Sequence, residues 1–167
     1  MNFSVAKSVN HGIRWLLQTH GSAFDSFSSG ILGLLLWVQG RLLSVPWWGY
    51  IVIVAVMAWI ATRKIVPTLV LAFLPFFIGM FGLWALALET LALVITSVVI
   101  ALAIGIPLGV IMAEANLFAD IIKPILDAMQ TMPSFVYLIP AMMLFGLGKV
   151  PAVIATLIYA LPPVMRL

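Results

Sequence analysis

The sequence predicts an all-α membrane protein, a polytopic helical bundle, and composition is the first indication. Hydrophobic residues make up 65% of the 167 positions and charged residues 8%, against roughly 45–50% and about 25% in soluble domains. The mean hydropathy is +1.26. A chain of this size cannot bury that much apolar surface within itself, so lipid must cover the rest. These observations exclude a water-soluble globule.

Residues 1–46 are predicted to form an extracytoplasmic or interfacial amphipathic segment. Apolar residues recur at helical spacing over residues 5–19, which is typical of a helix lying in the headgroup region. Its apolar stripe is Val9, Ile13, Leu16 and Leu17. His11 and His20 are expected to be polar residues at the membrane surface. The apolar run Ile31–Val38 is shorter than the roughly 20 residues of a straight span, so we expect it to dip into the membrane rather than cross it.

The remaining residues, 47–167, are predicted to form a transmembrane domain of five spans. The first opens with an aromatic belt at Trp47 and Trp48 and closes before Arg63 and Lys64, the pattern of a helix between two membrane surfaces. Prolines inside the later spans are tolerated where neighbouring helices or water satisfy the freed carbonyls. The expected spans cover about 47–62, 65–84, 88–112, 133–147 and 150–166.

The loop over residues 114–132 is the one charge-dense stretch between spans, and its pattern is amphipathic. Leu117, Ile121, Ile125 and Met129 form one row at helical spacing, whereas Asp120, Lys123, Asp127 and Gln130 occupy the opposite face. This predicts a helix at a membrane surface. Two short helices are the alternative, because Pro124 suits the first turn of a second helix.

The distribution of Lys and Arg predicts the orientation. With five alternating spans, Arg63, Lys64, Lys123 and Arg166 share one face, while the turns on the other face carry only Lys149. The first face should be cytoplasmic. The segment before Trp47 then lies outside.

Catalytic and metal-binding patterns are missing from the sequence. There is no cysteine, no Walker loop, no Ser/His/Asp set and no basic stripe of the kind that binds nucleic acid. The chain is therefore not expected to be an enzyme or to hold a metal. No ionisable side chain lies in the middle of a predicted span, although ion-driven carriers commonly place one there. If the protein moves a solute, the energy should come from elsewhere.

Several uncharged residues could shape a solute path or the packing of the bundle. Thr96, Ser97 and Thr156 are expected to bond to helix backbones, fill packing gaps or line a path, and Ser134, Tyr137, Met142 and Tyr159 are the pathway candidates. Gly105 and Gly109, with Pro107 between them, favour close helix packing over a hinge. Pro140, Pro162 and Pro163 interrupt helices within the membrane, which favours a moving or cavity-lining bundle.

The blocks DAMQTMPSFVYLIP and ALPP-x-x-RL carry a resemblance to a known family. Over about Leu91–Leu167 the chain resembles the permease subunit of the glycine betaine/proline (quaternary amine) ABC importers. This resemblance implies a type I ABC importer fold in the bacterial inner membrane. The similarity of residues 1–90 is one of layout only.

The resemblance also implies partners and roles. Two permease copies would form the pathway, two cytoplasmic ATPase subunits would use the ATP, and an extracytoplasmic binding protein would deliver the solute, so this chain would bind no cofactor itself. An ATPase-facing cytoplasmic surface is expected at Asp120, Lys123, Asp127, Gln130 and Arg166. The chain stops at Leu167, before the coupling loop of that family, and is therefore expected to be a truncated permease, a fragment or a split subunit.

Two other hypotheses remain open at this point. A small secondary carrier or channel would explain the proline-broken spans, and a non-transporting membrane scaffold would explain a short chain. The sequence does not distinguish glycine betaine from choline, carnitine or proline as the solute.

Overall fold

A computed structural model describes the backbone of residues 5–166 and the side chains of Thr19 and residues 21–166. Over this range the chain is helical, with no strand, in agreement with the predicted fold class. The helices are α1 (Val5–Leu43), α2 (Trp47–Thr62), α3 (Ile65–Met80), α4 (Trp84–Glu114), α5 (Asn116–Thr131), α6 (Phe135–Phe145) and α7 (Lys149–Met165). The helices divide into two compact units, one formed by Leu36–Ala92 and one by the residues before and after it.

Helix α1 differs from the sequence interpretation. It runs without a break through Ile31–Val38, and its part Gly21–Leu43 is long and apolar enough to cross a membrane. The apolar run was predicted to be too short for a straight span. That prediction was wrong about the length of the helix, because the glycines that flank the run do not end it. A glycine inside a helix costs only about 1 kcal/mol relative to alanine. The apolar stripe over residues 5–19, His11 and His20 lie outside the residues whose side chains are described.

Within the unit Leu36–Ala92, α2 and α3 form a helical hairpin. Arg63 makes the turn in a left-handed conformation (φ 52°), and its N–H donates to the carbonyl of Trp59. Helix α3 ends at Met80 rather than near Trp84, because the chain turns at Gly82, which has a φ of 68°. Each helix has 16 residues and is therefore about 24 Å long, somewhat less than the roughly 30 Å of a hydrocarbon core. Their predicted crossing of the membrane stays a prediction.

Helix α4 is longer than the expected span 88–112. Its 31 residues continue through Pro107, and it is the second described stretch that is long and apolar enough to cross a membrane. The helix spans both units, and its part from Leu93 onward carries the small residues that contact α7.

The amphipathic segment is the single helix α5, which continues through Pro124. The alternative of two short helices is therefore wrong. Helices α5 and α6 are bent by 97° at the break between them and together are apolar enough for one broken span or a re-entrant loop. Helix α7 continues through Pro162 and Pro163 to Met165.

Two apolar clusters hold the larger unit together. In the first, Ile31 and Leu35 of α1 pack with Val150 and Val153 of α7. In the second, Met112 of α4 and Met165 of α7 pack against α5, whose buried contributions are Ala119 and Leu126. Helix α7 thus contacts α1 near its start and α5 at its end, and it determines where both candidate sites lie.

Candidate functional site

A groove between α6 and α7 collects uncharged polar groups. It has a volume of about 280 Å³ and is lined by Ser134, Leu138, Ala152, Ala155, Thr156 and Tyr159. The hydroxyl of Thr156 donates to the carbonyl of Ala152 at 2.8 Å, whereas Tyr159 is 59% exposed. The lining contains no charged side chain. The structure therefore brings two of the four pathway candidates, Ser134 and Tyr159, to one groove and adds Thr156.

The other two pathway candidates lie elsewhere. The Tyr137 hydroxyl donates to the carbonyl of Met129 at 2.8 Å and to that of Ala128 at 3.4 Å. The Met129 carbonyl belongs to the last turn of α5, so Tyr137 satisfies an acceptor that a helix end leaves free. The Ala128 carbonyl also accepts from the N–H of Met132. The Tyr137 bond to Met129 therefore ties α6 to the end of α5 across the bend. Met142 is half-buried in α6 and does not line the groove.

Arg166 joins the end of α7 to the polar face of α5. Its Nη2 lies 2.5 Å from Asp127 Oδ1 and 3.4 Å from the carbonyl oxygen of Lys123. Its Nη1 donates to Oε1 of Gln130 at 3.4 Å. Four of the five residues expected on the cytoplasmic surface thus meet, Lys123 through its backbone. Lys123 and Arg166 therefore lie close together, and the prediction that they share the cytoplasmic side of the membrane stays a prediction.

An open groove of about 660 Å³ adjoins this contact. Its polar lining comes from Asn116, Lys123, Asp127 and Arg166, and its floor is formed by Gly109, Met112, Ala113, Ala119 and Met165. The mixture of charges and apolar floor is suited to an amphipathic protein segment better than to a small apolar molecule.

Asp120 is the one member of the expected cytoplasmic surface that this contact leaves out. It is exposed on α5 and does not line the groove. The apolar residues Leu117, Ile121 and Ile125 are exposed as well. Met129, the last residue of that row, packs against the second apolar cluster. Helix α5 thus presents both a polar face and an uncovered apolar edge, as a helix at a membrane surface does.

The two glycines of α4 lie against α7. A Cβ on Gly105 would come within 2.6 Å of Val164 Cγ1, and a Cβ on Gly109 within 3.1 Å of the carbonyl oxygen of Met165. Such short separations are those of closely packed helices. Pro107 lies inside α4, Pro140 inside α6 and Pro162 and Pro163 inside α7, and Pro162 is fully buried.

Thr96 and Ser97, which are not among the four named pathway candidates, form a polar pair in the core. Both are fully buried. The Ser97 hydroxyl donates to the carbonyl of Leu93 at 2.9 Å and lies 3.3 Å from the carbonyl of Val153 in α7. The Thr96 hydroxyl has no hydrogen-bond partner. Adjacent hydroxyl residues in an apolar run were the available signal, but their burial depends on α7, which lies over 50 residues away.

Among the described residues, no group of three or more His, Asp or Glu side chains could hold a metal ion. The two candidate sites offer hydroxyl groups in an apolar groove and an ion pair on a helix surface. Groups of these kinds form hydrogen bonds and charge contacts with a bound partner.

The chain is similar to one described family of membrane components and to individual permeases. Residues 105–167, from Gly105 to the end, match the family described as binding-protein-dependent transport system inner membrane component. Over 98% of its length the chain is 38% identical to the glycine betaine transport system permease protein OpuAB of Bacillus subtilis. Over 95% of its length it is 41% identical to the glycine betaine/proline betaine transport system permease protein ProW of Escherichia coli.

A third relative is the glycine betaine/carnitine transport permease protein GbuB of Listeria monocytogenes, 56% identical over 50% of this chain and 30% of its own length. The chain spans 57% of the Bacillus protein and 45% of the Escherichia protein, or about half the length of these relatives. The matched residues 105–167 contain both the α6–α7 groove and the Arg166 contact.

Proposed function

We propose, from the match of residues 105–167 to binding-protein-dependent transport system inner membrane components and from the similarity to two permeases, that this chain is a membrane-spanning permease subunit of an ATP-driven importer. Its cargo would be a glycine betaine/proline-type compatible solute. As such a subunit the chain would act in transport at the inner membrane and would catalyse no reaction itself. The observation that carries the proposal is similarity over nearly the whole chain to permeases named for glycine betaine.

The α6–α7 groove is proposed as part of the solute path. A quaternary ammonium solute carries a soft cation, which the face of an aromatic ring attracts. Tyr159 offers such a ring at the mouth of the groove, and the hydroxyls of Ser134 and Thr156 offer hydrogen bonds. Because no charged side chain lines the groove, a zwitterionic solute would form no ion pair there that slows its release. A second permease copy facing this groove would complete the path.

The contact between α5 and Arg166 is proposed to face the ATPase subunits. Those subunits would use the ATP, and this chain would bind none. The mixed charges of Lys123, Asp127 and Arg166 border a groove with an apolar floor, a combination typical of a protein interface. An extracytoplasmic binding protein would deliver the solute to the opposite end of the bundle.

A chimeric permease tests this proposal. In a strain of Escherichia coli without other betaine uptake, the 159-residue segment of ProW that aligns with this chain is replaced by this chain's residues. We expect uptake of labelled glycine betaine in high-osmolarity medium, and loss of that uptake when the host ATPase subunit is inactivated. Competition by unlabelled carnitine, choline and proline then ranks the solutes.

A second chimera carries Tyr159→Ala and tests the proposed role of this ring. This side chain is exposed and has no hydrogen bond to lose, so the variant should reach the membrane at the normal level while uptake falls. A chimera that is present in the membrane at normal amount but takes up no betaine would contradict the proposed function. Uptake that persists without the ATPase would favour a secondary carrier.

A further inference from the structure

The unit Leu36–Ala92 contains an apolar groove that no transport step described above uses. Its volume is about 440 Å³, and it is lined by Trp47, Phe76, Gly79, Met80 and Trp84. This volume lies within the roughly 300–1,000 Å³ range of small-molecule sites. The lining residues come from the start of α2, the end of α3 and the start of α4. The groove therefore lies at the end of the hairpin opposite Arg63 and Lys64.

The aromatic residues place this groove at a membrane surface. Tryptophan and tyrosine concentrate where the hydrocarbon core meets the headgroups, and Trp47, Trp48, Tyr50 and Trp84 cluster at this end of the hairpin. Trp47 is 56% and Met80 72% exposed, so the groove opens outward and not into the core of the unit. In a bilayer the molecule that meets such an opening is a phospholipid.

A chain of contacts connects the groove to a cation. The ring of Trp84 packs edge-to-face on Tyr50, with centroids 5.2 Å apart. The Tyr50 hydroxyl donates to the carbonyl of Leu42 at 2.7 Å, which holds the end of α1 against α2. Arg41 directly precedes Leu42 and is exposed. Its guanidinium lies 5.5 Å from the centroid of the Trp37 ring. A guanidinium at the membrane surface is well suited to bind a phosphate.

We infer that this groove binds one acyl chain of an anionic phospholipid, with Arg41 facing the phosphate. The apolar lining accounts for the tail, and the position of the Trp37–Arg41 pair accounts for the preference for a negative headgroup. Gly79 keeps the groove open, because a Cβ there meets no atom within 4 Å. Any longer side chain at this position would occupy the volume that the tail requires.

Native mass spectrometry of the purified chain in detergent tests the inference, with phosphatidylglycerol and phosphatidylethanolamine of identical tails as probes. We expect the wild-type chain to retain phosphatidylglycerol preferentially. Gly79→Leu should weaken retention of both lipids about tenfold, since excluding two methylene groups already has that effect. Arg41→Gln should keep tail binding and lose the preference for phosphatidylglycerol.

The matched control is Gly33→Leu, which adds the same side chain to an open position of α1 and should bind lipid as the wild type does. Helix content by circular dichroism verifies that each variant folds. If Gly79→Leu does not fold, Arg41→Gln alone tests the inference. Unchanged lipid retention in folded Gly79→Leu, or a phosphatidylglycerol preference that survives Arg41→Gln, would overturn the inference. Displacement of the lipid by tetramethylammonium, or a dimer that Gly79→Leu dissociates, would overturn it in favour of another occupant.

Discussion

Nη2 of Arg166 donates to Oδ1 of Asp127 at 2.5 Å, across 39 positions of the sequence. The contact joins the residue that directly follows α7 to the polar face of α5. Their side chains are 37% and 63% exposed, so water and salt screen the pair. The pair therefore contributes more to the specific orientation of α7 on α5 than to the stability of the fold.

Removing this ion pair should change stability little. Exposed pairs contribute about 0–1 kcal/mol, so we expect Asp127→Asn and Arg166→Gln each to lower the free energy of unfolding by less than ~1 kcal/mol. A double-mutant cycle measured by chemical unfolding in detergent should give a coupling of about 0.5 kcal/mol at low salt. The coupling should shrink in 1 M NaCl, where the Debye length is about 3 Å. A coupling that salt leaves unchanged would contradict the surface character of the pair.

The close packing of α4 on α7 should make Gly105→Ala destabilising. The added Cβ would meet Val164 at 2.6 Å, and a β-branched side chain has little freedom to move away. Overpacking of this kind typically costs about 1–3 kcal/mol. Thermal unfolding should show recovery when Val164→Ala is added. Gly33→Ala, at an open helical position, serves as the control and should be neutral or stabilising. Equal effects at the two glycines would argue against this packing interface.

The buried hydroxyls of Thr96 and Ser97 should respond in opposite directions. Thr96→Val removes a polar atom without a partner at nearly constant volume, so we expect it to stabilise by about 1 kcal/mol. Ser97→Ala removes the hydroxyl that bonds to Leu93 and reaches Val153, and we expect a loss of about 0.5–1.5 kcal/mol. Unfolding in a denaturant series measures both variants in the same detergent. Destabilisation by Thr96→Val would show that its hydroxyl has a partner in the membrane.

Tyr137 and Tyr159 should separate stability from transport. Tyr137→Phe loses the bond to the carbonyl of Met129 and should lower the free energy of unfolding by about 1 kcal/mol. Tyr159→Phe loses no hydrogen bond and should unfold as the wild type does. In the chimeric permease, however, Tyr159→Phe should retain uptake better than Tyr159→Ala, because the aromatic ring remains. Equal uptake by these two variants would remove Tyr159 from the proposed path.

The sequence predicted helix ends correctly where the residues at those ends mark them. Helix α2 begins at Trp47 and ends at Thr62, as the aromatic belt and the Arg63–Lys64 pair predicted, and α5 follows the amphipathic period of residues 114–132. Helix α1 was misjudged because Gly30 and Gly40 resemble helix ends locally, although packing of Ile31 and Leu35 on α7 stabilises the continuous helix.

The candidate sites were harder to predict, because they depend on contacts between distant residues. Helical periodicity placed Asp120 and Asp127 on one face of α5, but only the position of α7 determines that Arg166 reaches Asp127. Tyr137 was predicted as a pathway residue because it is a polar aromatic residue in an apolar span. The 97° bend turns its hydroxyl to the end of α5 instead, and no spacing rule predicts such a bend.

The length of α4 has a consequence for where α5 lies. Its 31 residues extend about 46 Å, and fitting them within a hydrocarbon core of about 30 Å would require a tilt near 50°, beyond the usual range of roughly 0–40°. The helix instead matches the full thickness of a bilayer with its polar layers, about 40–45 Å. An α4 that crosses the bilayer in this way would place α5, which follows after Ala115, at the boundary with water. A soluble protein could then reach α5 without entering the hydrocarbon core.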